Sequence, residues 1–460
     1  MSKKNEFYDF PPTSTKAWKQ QIQYGLKGQD YNYLLVWNSP DQIAVKPFYN
    51  TDDLEQPPAR GLSAEDEWKV GQPISVEDTE QANARALRCL EKGAESLFFK
   101  LHSPDIDLRS LLKGIDLKQY PVHLEINFLA DTLLGTLKEI SQEKKASFII
   151  HFDVIGNLAR TGNWFRSMKE DLDAWLQLNR ELEGSITISI DGSLYQNAGA
   201  IRVQQLAYML SQAHEYVHHL KANAADVKMQ IPVFKVSVNS NYFFEIAKLR
   251  ALRQLWATLA REYDAPEHCH IVAQPSQRNK TIYEYNSNLL RSTMECMAAV
   301  NGGADTVCNL PYDSLYQKEN EFGDRIARNQ LLILKNESYL GAVSNPADGA
   351  YYIETLTKQM AEKALSLFKQ LEASGGFLYA LKAHTIQPKI KEQATKEQER
   401  FDQGSDILVG SNGYQNNQEA MKDNLEVSPF MKFEAKKTLI EPILEKRLAE
   451  SLEKKRLEHE

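Results

Sequence analysis

The sequence predicts an α/β fold: a closed (βα)8 TIM barrel preceded by an N-terminal extended arm and followed by a C-terminal helical tail. Three observations lead there. From about residue 79 to 372, short apolar runs alternate with longer stretches of helical periodicity. The runs are six to eight residues long and rich in β-branched residues, too short for buried helices. No glycine-rich phosphate turn follows the first of them, FFKLHSPD, as an open doubly wound sheet would usually show.

Taken in order, the expected strands are 96–101, 122–127, 147–154, 185–191, 234–239, 270–275, 305–310 and 339–344. Helical periodicity covers 79–93, 107–114, 131–141, 165–183, 199–221, 242–262, 283–300, 323–336 and 351–372. Eight strands with crossover helices make a barrel of ordinary size. Residues 289–357 carry its closing third: a helix, a Gly-Gly stop, a strand, a polar loop, a second helix and a last strand. Helix 199–221 shows the packing logic. Val203, Leu206, Ala207, Leu210, Ala213, Val217 and Leu220 share one face, with Gln204, Gln205, Gln212 and Glu215 opposite, as in an outer barrel helix. Helix 351–372 repeats that pattern and stops at Gly375-Gly376, a fitting cap.

Three segments follow. Residues 1–60 form an arm expected to contact another subunit, 61–385 the barrel, and 386–460 a polar linker and C-terminal helix. The arm scatters aromatics (Phe7, Tyr8, Phe10, Trp18, Tyr31, Tyr33, Trp37) among prolines (Pro11-Pro12, Pro40, Pro47, Pro57-Pro58), a pattern that buries rings against something else. Ile443, Leu444, Leu448 and Leu452 draw a thin apolar stripe along an expected charged C-terminal helix.

A net charge of −8 over 460 residues gives no basic footprint for nucleic acid. No run of about 18 apolar residues suggests a membrane span. The four cysteines form no C-x-x-C pair and read as reduced, buried thiols. The N-terminus has no apolar signal core, so a cytoplasmic protein is expected.

His214-Glu215-Tyr216-Val217-His218 matches the H-E-x-x-H zinc pattern. Its helical wheel turns His214 toward the apolar stripe, which favours an ordinary helix over a zinc peptidase. His268 and His270 flank Cys269 at a strand start and read as surface residues rather than ligands. No nucleophile elbow, P-loop or dinucleotide fingerprint occurs. The expected barrel mouth is ringed by Gln196, Asn239, Gln274 and Asn309, after strands four to seven. These are neutral amides, able to hold a polar ligand but not to act as general acid or base. No catalytic, cofactor-binding or metal-binding residue is assigned.

Several segments together resemble the methylmalonyl-CoA mutase family: FPPTSTKAWKQQIQYGLKG, DQIAVKPFYNTDDL, DGSLYQNAGA, NSNYFFEIAKLRALRQLWA, LLRSTMECMAAVNGGADTV, RIARNQLLIL and NPADGAYYIETLT. The resemblance implies a barrel that threads acyl-CoA along its axis, a separate domain that holds adenosylcobalamin over the mouth, and interconversion of methylmalonyl-CoA and succinyl-CoA. Departures are equally informative. The D-x-H-x-x-G loop, whose histidine ligates cobalt in the family's catalytic chains, is not found. The stretch GLSAEDEWKVGQPISVED has no tyrosine where such chains carry one beside the substrate. Three family histidines fall at Val272, Asn239 and Leu194. The expectation is therefore a small, non-catalytic subunit without a cobalamin-binding domain, serving a large catalytic subunit that holds the adenosylcobalamin. The alternative is a barrel that keeps acyl-CoA binding and borrows a separate cobalamin-binding protein.

Overall fold

Alternation of strand and helix along the chain produces the barrel. The computed structural model describes residues 13–54, 67–129, 131–224, 226–431 and 436–460. Phe7, Tyr8, Phe10, Pro11-Pro12, Pro57-Pro58 and part of the GLSAEDEWKVGQPISVED stretch lie outside the described residues.

Eight parallel strands form the sheet: β1 (Lys69–Val76), β2 (Ser96–Leu101), β3 (Val122–Ile126), β4 (Ile149–His151), β5 (Ser189–Asp191), β6 (Val233–Val238), β7 (His270–Pro275) and β8 (Thr306–Cys308). Their spatial order is β4-β3-β2-β1-β8-β7-β6-β5. A parallel bridge between Ile149 and Ile186 joins the two edges, with Ile150 N donating to Ile186 O at 2.8 Å. Closure removes both sheet edges. Outward residues such as Val70, Leu97, Leu124, Ile150, Phe234 and Ile271 enter the main core beneath the helices.

Eight strands are present, but their membership differs from the expectation. β1 does not read as a strand in sequence because it contains Gly71 and Pro73, both poor strand residues. Gly71 is required there: a Cβ would lie 2.5 Å from Cys308 Sγ on the neighbouring strand. Conversely, 339–344 (YLGAVS) is no strand. Tyr339 has φ of 55°, Ala342 N bonds back to Tyr339 O, and Tyr339 and Val343 face solvent. An apolar run without a sheet edge to join stays a turn.

Helices α1 (Thr79–Glu91), α2 (Leu108–Leu111), α3 (Asp131–Lys144), α4 (Val154–Thr161), α5 (Met168–Glu181), α6 (Ser193–Asn197), α7 (Arg202–Asn223), α8 (Tyr242–Glu262), α9 (Ser287–Asn301) and α10 (Glu321–Leu332) connect or flank the strands. Side-chain caps mark their starts. Asp78 accepts from Gln81 N at α1, and Ser167 accepts from Glu170 N at α5. α11 (Tyr351–Ala373) packs outside α7 and α8 rather than on the sheet, and α12 (Gly376–Lys382) also rests on α7. The expected glycine stop is there, with φ of 114° at Gly375. Gln204, Gln205 and Gln212, expected on a solvated face of α7, are buried, with Gln205 and Gln212 bonded inward to Gln196 and Asp153.

Described segments near both ends of the chain lie against the barrel. Helices Thr15–Gly25 and Tyr31–Leu35 precede a small antiparallel pair, Trp37–Asn38 with Ala44–Val45. Asp41, at the turn of that pair, accepts from Arg202 Nη1 and Val203 N, both at 3.1 Å. Between α13 (Ile386–Asp402) and α14 (Glu450–Glu458) the described residues form no α-helix or strand, only a 3-10 turn at Lys422–Asn424. Ile443, Leu444 and Leu448 therefore precede the terminal helix instead of forming part of its stripe, and only Leu452 lies on it.

Candidate functional site

Barrel enzymes place their chemistry at the carboxyl ends of the strands, so the axis and that mouth are where a site would form. Side chains of one parity on each strand point inward. Their inner layers are unusually bulky. Phe98, Ile149, Val233, Val272 and Cys308 make a closed apolar cluster on the axis. His123 and His151 lie among them, with His123 Nδ1 and His151 Nε2 3.0 Å apart, the His123 ring stacked on Phe98 and the His151 ring tilted against it. His270, expected at the surface, packs against His123 instead and contacts Thr306 Oγ1 at 3.2 Å. It is first in its strand and shares the inward parity of Val272.

Burial holds these imidazoles neutral. It pushes His123 well below the ordinary imidazole value, aided by His151. It brings His151 down to about 3, with Lys235 adding to the effect, and lowers His270 in the same direction. His123 Nε2 and His151 Nδ1 have no hydrogen-bond partner.

Above this layer lies a charge cluster in which Lys235 is buried and Glu125, Asp191 and Arg160 are half-buried. Lys235 on β6 donates to Glu125 on β3 at 2.5 Å and reaches Asp191 on β5 at 3.5 Å. Arg160 on α4 donates to Asp191 Oδ2 at 2.8 Å and pairs with Glu445. Burial would raise the Glu125 and Asp191 carboxyls. Lys235 outweighs it at both, with Lys100 helping at Glu125 and Arg160 at Asp191, so each stays ionised below the usual range. Asp153, which caps α4, accepts from Gly156 N, Asp191 N, Gln212 and Tyr216. Burial nonetheless raises it. The space left among these groups is a cavity of about 50 Å³. That is room for water, far below the roughly 300–1,000 Å³ of small-molecule sites.

Residues 438–448 then cross the mouth as an extended strap. Its amides donate to barrel-loop carbonyls: Ile443 N to Ala159 O, Lys446 N to Asn197 O and Leu448 N to Arg278 O. Glu445 points inward, receiving Asn197 Nδ2 at 2.9 Å as well as Arg160. Gly162, with φ of 79°, lets the strap pass, since a Cβ would lie 2.6 Å from Ile440 O.

The four amides expected at the mouth do not converge. Gln196 is buried in α6 and accepts from Gln205 Nε2 at 2.6 Å. Asn239 accepts from Ser240 N, shaping the turn into α8. Asn309 donates outward to Ala327 O and Gln330. Gln274, fifth in β7, shares the inward parity of His270 and Val272. None of them lines the cavity. The H-E-x-x-H residues are held otherwise. His214 bonds Glu372 and Tyr263, Glu215 accepts from Leu378 N, and His218 is exposed. Among the described residues no group of three or more His, Cys, Asp or Glu is placed to hold a metal. The charged layer escaped the sequence reading. Its signal was present as Glu125, Asp191 and Lys235, single charges inside otherwise apolar strands.

These features define a parallel (βα)8 barrel whose axis is filled by its own side chains and whose mouth is crossed by its own C-terminal segment. The methylmalonyl-CoA mutase family pattern matches residues 105–458, and the chain belongs to that family. It is 32% identical to the methylmalonyl-CoA mutase small subunit of Porphyromonas gingivalis, over 92% of this chain and 74% of that protein. Identity to the Rhizobium meliloti methylmalonyl-CoA mutase is 29%, over 85% of this chain and 63% of that protein. The large subunit of the Porphyromonas gingivalis enzyme is 26% identical, over 85% of this chain and 62% of its own length. The chain thus spans less than two thirds of the latter two. No helix among the described residues is long and apolar enough to cross a membrane.

Proposed function

We propose that this chain is the small, non-catalytic subunit of a cytoplasmic, two-subunit methylmalonyl-CoA mutase. A larger partner binds adenosylcobalamin and interconverts methylmalonyl-CoA and succinyl-CoA. The observation that carries this reading is the filled axis. A thioester threaded down the barrel would have to displace Phe98, the histidine layer and the Glu125–Lys235–Asp191 cluster. Breaking one partner of such a buried ion pair costs about 3–5 kcal/mol, so the plug is not a soft gate.

Cobalamin does not fit the residues present. The face over which it would lie is spanned by residues 438–448, and the nearby histidines are sealed inside the barrel. No catalytic step is therefore assigned to this chain. Gln196, Asn239, Gln274 and Asn309 are read as vestiges of a mouth, of which Gln274 still faces the axis. The relatives named small and large subunit support a large mutase subunit as partner. The filled axis speaks against the alternative of a barrel that retains acyl-CoA.

Calorimetric titration of the isolated chain with methylmalonyl-CoA should give no saturable heat. Co-expression with a large mutase subunit should give a stable complex. Saturable acyl-CoA binding by the lone chain, or turnover on adding coenzyme, overturns the reading.

A further inference from the structure

Away from the plugged axis, on the outer wall where α7, α8 and α11 meet, three titratable side chains stand in a hydrogen-bonded row. His214 on α7 bridges the other two helices. Its Nδ1 lies 2.7 Å from Glu372 Oε2 on α11, and its Nε2 lies 2.6 Å from the Tyr263 hydroxyl at the end of α8. The Phe368 and Tyr263 rings meet the imidazole edge-on and hold its orientation. The buried Ser211 hydroxyl donates to the second oxygen of Glu372, so both carboxylate oxygens are held. Tyr263, His214 and Glu372 are each partly exposed.

An ionised carboxylate can only accept hydrogen bonds. In the neutral ring His214 Nδ1 therefore carries the proton, Nε2 keeps its lone pair, and the Tyr263 hydroxyl donates to it. That is the order of nucleophile, base and orienting acid by which a hydroxyl is activated without first ionising. Burial pushes the Tyr263 phenol up, and the charge of Glu372 pushes it the same way, so it stays protonated at neutral pH. Its oxygen becomes strongly nucleophilic as His214 takes the proton. Two further titratable groups face the imidazole: His218, one turn along α7, and Glu215, whose carboxylate accepts from Leu378 N. Two carboxylates beside the phenol repel an anionic phosphoryl donor and leave an uncharged acyl carbon as the fitting electrophile. The mutase reading uses none of these groups.

We propose that Tyr263 is an activated nucleophile, with His214 as its base and Glu372 orienting that base, and that it accepts an acyl group from a small activated acyl donor. The phenolic oxygen attacks the acyl carbon. A C–O bond forms as the bond to the leaving group breaks, and the electron pair departs with that group. The phenolic proton passes to His214 Nε2 and from there to the leaving group. The product is an O-acyl tyrosine on the outer wall of the barrel. Neither the barrel axis nor the large subunit takes part, so this stands or falls apart from the mutase assignment.

N-acetylimidazole, a small acetyl donor, tests it on the full chain, with acetylation followed site by site by peptide mass spectrometry. Tyr24, Tyr33 and Tyr414, which are 82%, 87% and 80% exposed, serve as internal references. Tyr263 should react at least about tenfold faster than any of them, although it is less exposed. His214→Asn and Glu372→Gln should each slow Tyr263 by about tenfold while leaving the three references unchanged. The rate at Tyr263 relative to the references should fall at acid pH, and His214→Asn should abolish that dependence. The fully buried Tyr195 and Tyr216 report unfolding. If they become reactive in His214→Asn, Glu372→Gln and the pH dependence of the unaltered chain decide. Tyr263 reacting no faster than the references, tracking them across pH, or keeping its rate in a folded His214→Asn or Glu372→Gln variant overturns the proposal.

Discussion

At the scale of single residues, the three inward histidines decide how the barrel responds to acid. His151 titrates near 3 in the folded chain and near 6.5 when free of the fold. Across that window the unfolded chain binds more protons at this position, so stability is held above 6.5 and lost as pH falls below it. His123 and His270 are depressed in the same direction and add to the slope. The chain should therefore begin to lose stability well above the carboxylate range. His151→Leu should reduce the slope by about 1.4 kcal/mol per pH unit within that window. Urea midpoints measured across it would show this, and an unchanged slope would mean that the ring is already protonated in the fold. Glu125 contributes its own loss at lower pH, because Lys235 holds it below its ordinary value of 4.5.

At the scale of elements, the strap is the feature that no periodicity announces. Residues 438–448 have no regular structure, yet they bond to the loops after β4, β5 and β7. Gly162 and Gly184 both have positive φ, near 80°. Only Gly162 faces another segment, whereas nothing lies within 4 Å of a Cβ at Gly184. Gly184→Ala should cost about 1 kcal/mol through the backbone alone. Gly162→Ala should cost more and speed hydrogen exchange at Leu439 and Ile440, whose amides donate to Gly162 O. Equal effects at the two glycines would show that the strap does not press on the barrel there. The elements themselves were unevenly legible. α7 and α8 announce themselves by their apolar stripes, β2 by its Leu-Phe-Phe run, and β3, β6 and β7 by β-branched residues bounded by turns. β1 was hidden by Gly71 and Pro73, which are tolerated because their neighbours on β8 and β2 are already in place.

At the scale of the whole molecule, the axis is packed as a core. An apolar and imidazole layer lies below a charged one, and the strap lies above both. Phe98→Ala removes the largest apolar side chain of that axis cluster and should cost about 3–5 kcal/mol. It should still not confer acyl-CoA binding, because the Glu125–Lys235–Asp191–Arg160 layer remains in the way. Denaturant unfolding beside acyl-CoA titration of this variant checks both halves. A variant that bound acyl-CoA would reduce the plug to one side chain. Of the candidate site, the sequence showed which chemical groups were missing; the filled axis could not be read from it. Phe98, Glu125, Lys235 and Asp191 are far apart along the chain, and only strand register makes them neighbours.

The sequence by itself determined the fold class, the family and the order of most helices and strands. Those depend on local periodicity and on residue patterns that survive without a partner in space. Tertiary structure decided which eight segments are strands, that the polar face of α7 is buried, that His270 turns inward, and that the C-terminal segment lies across the elements after β4, β5 and β7. Each of these depends on what a side chain meets across the sheet or beneath another helix, and those contacts exist only once the barrel has closed.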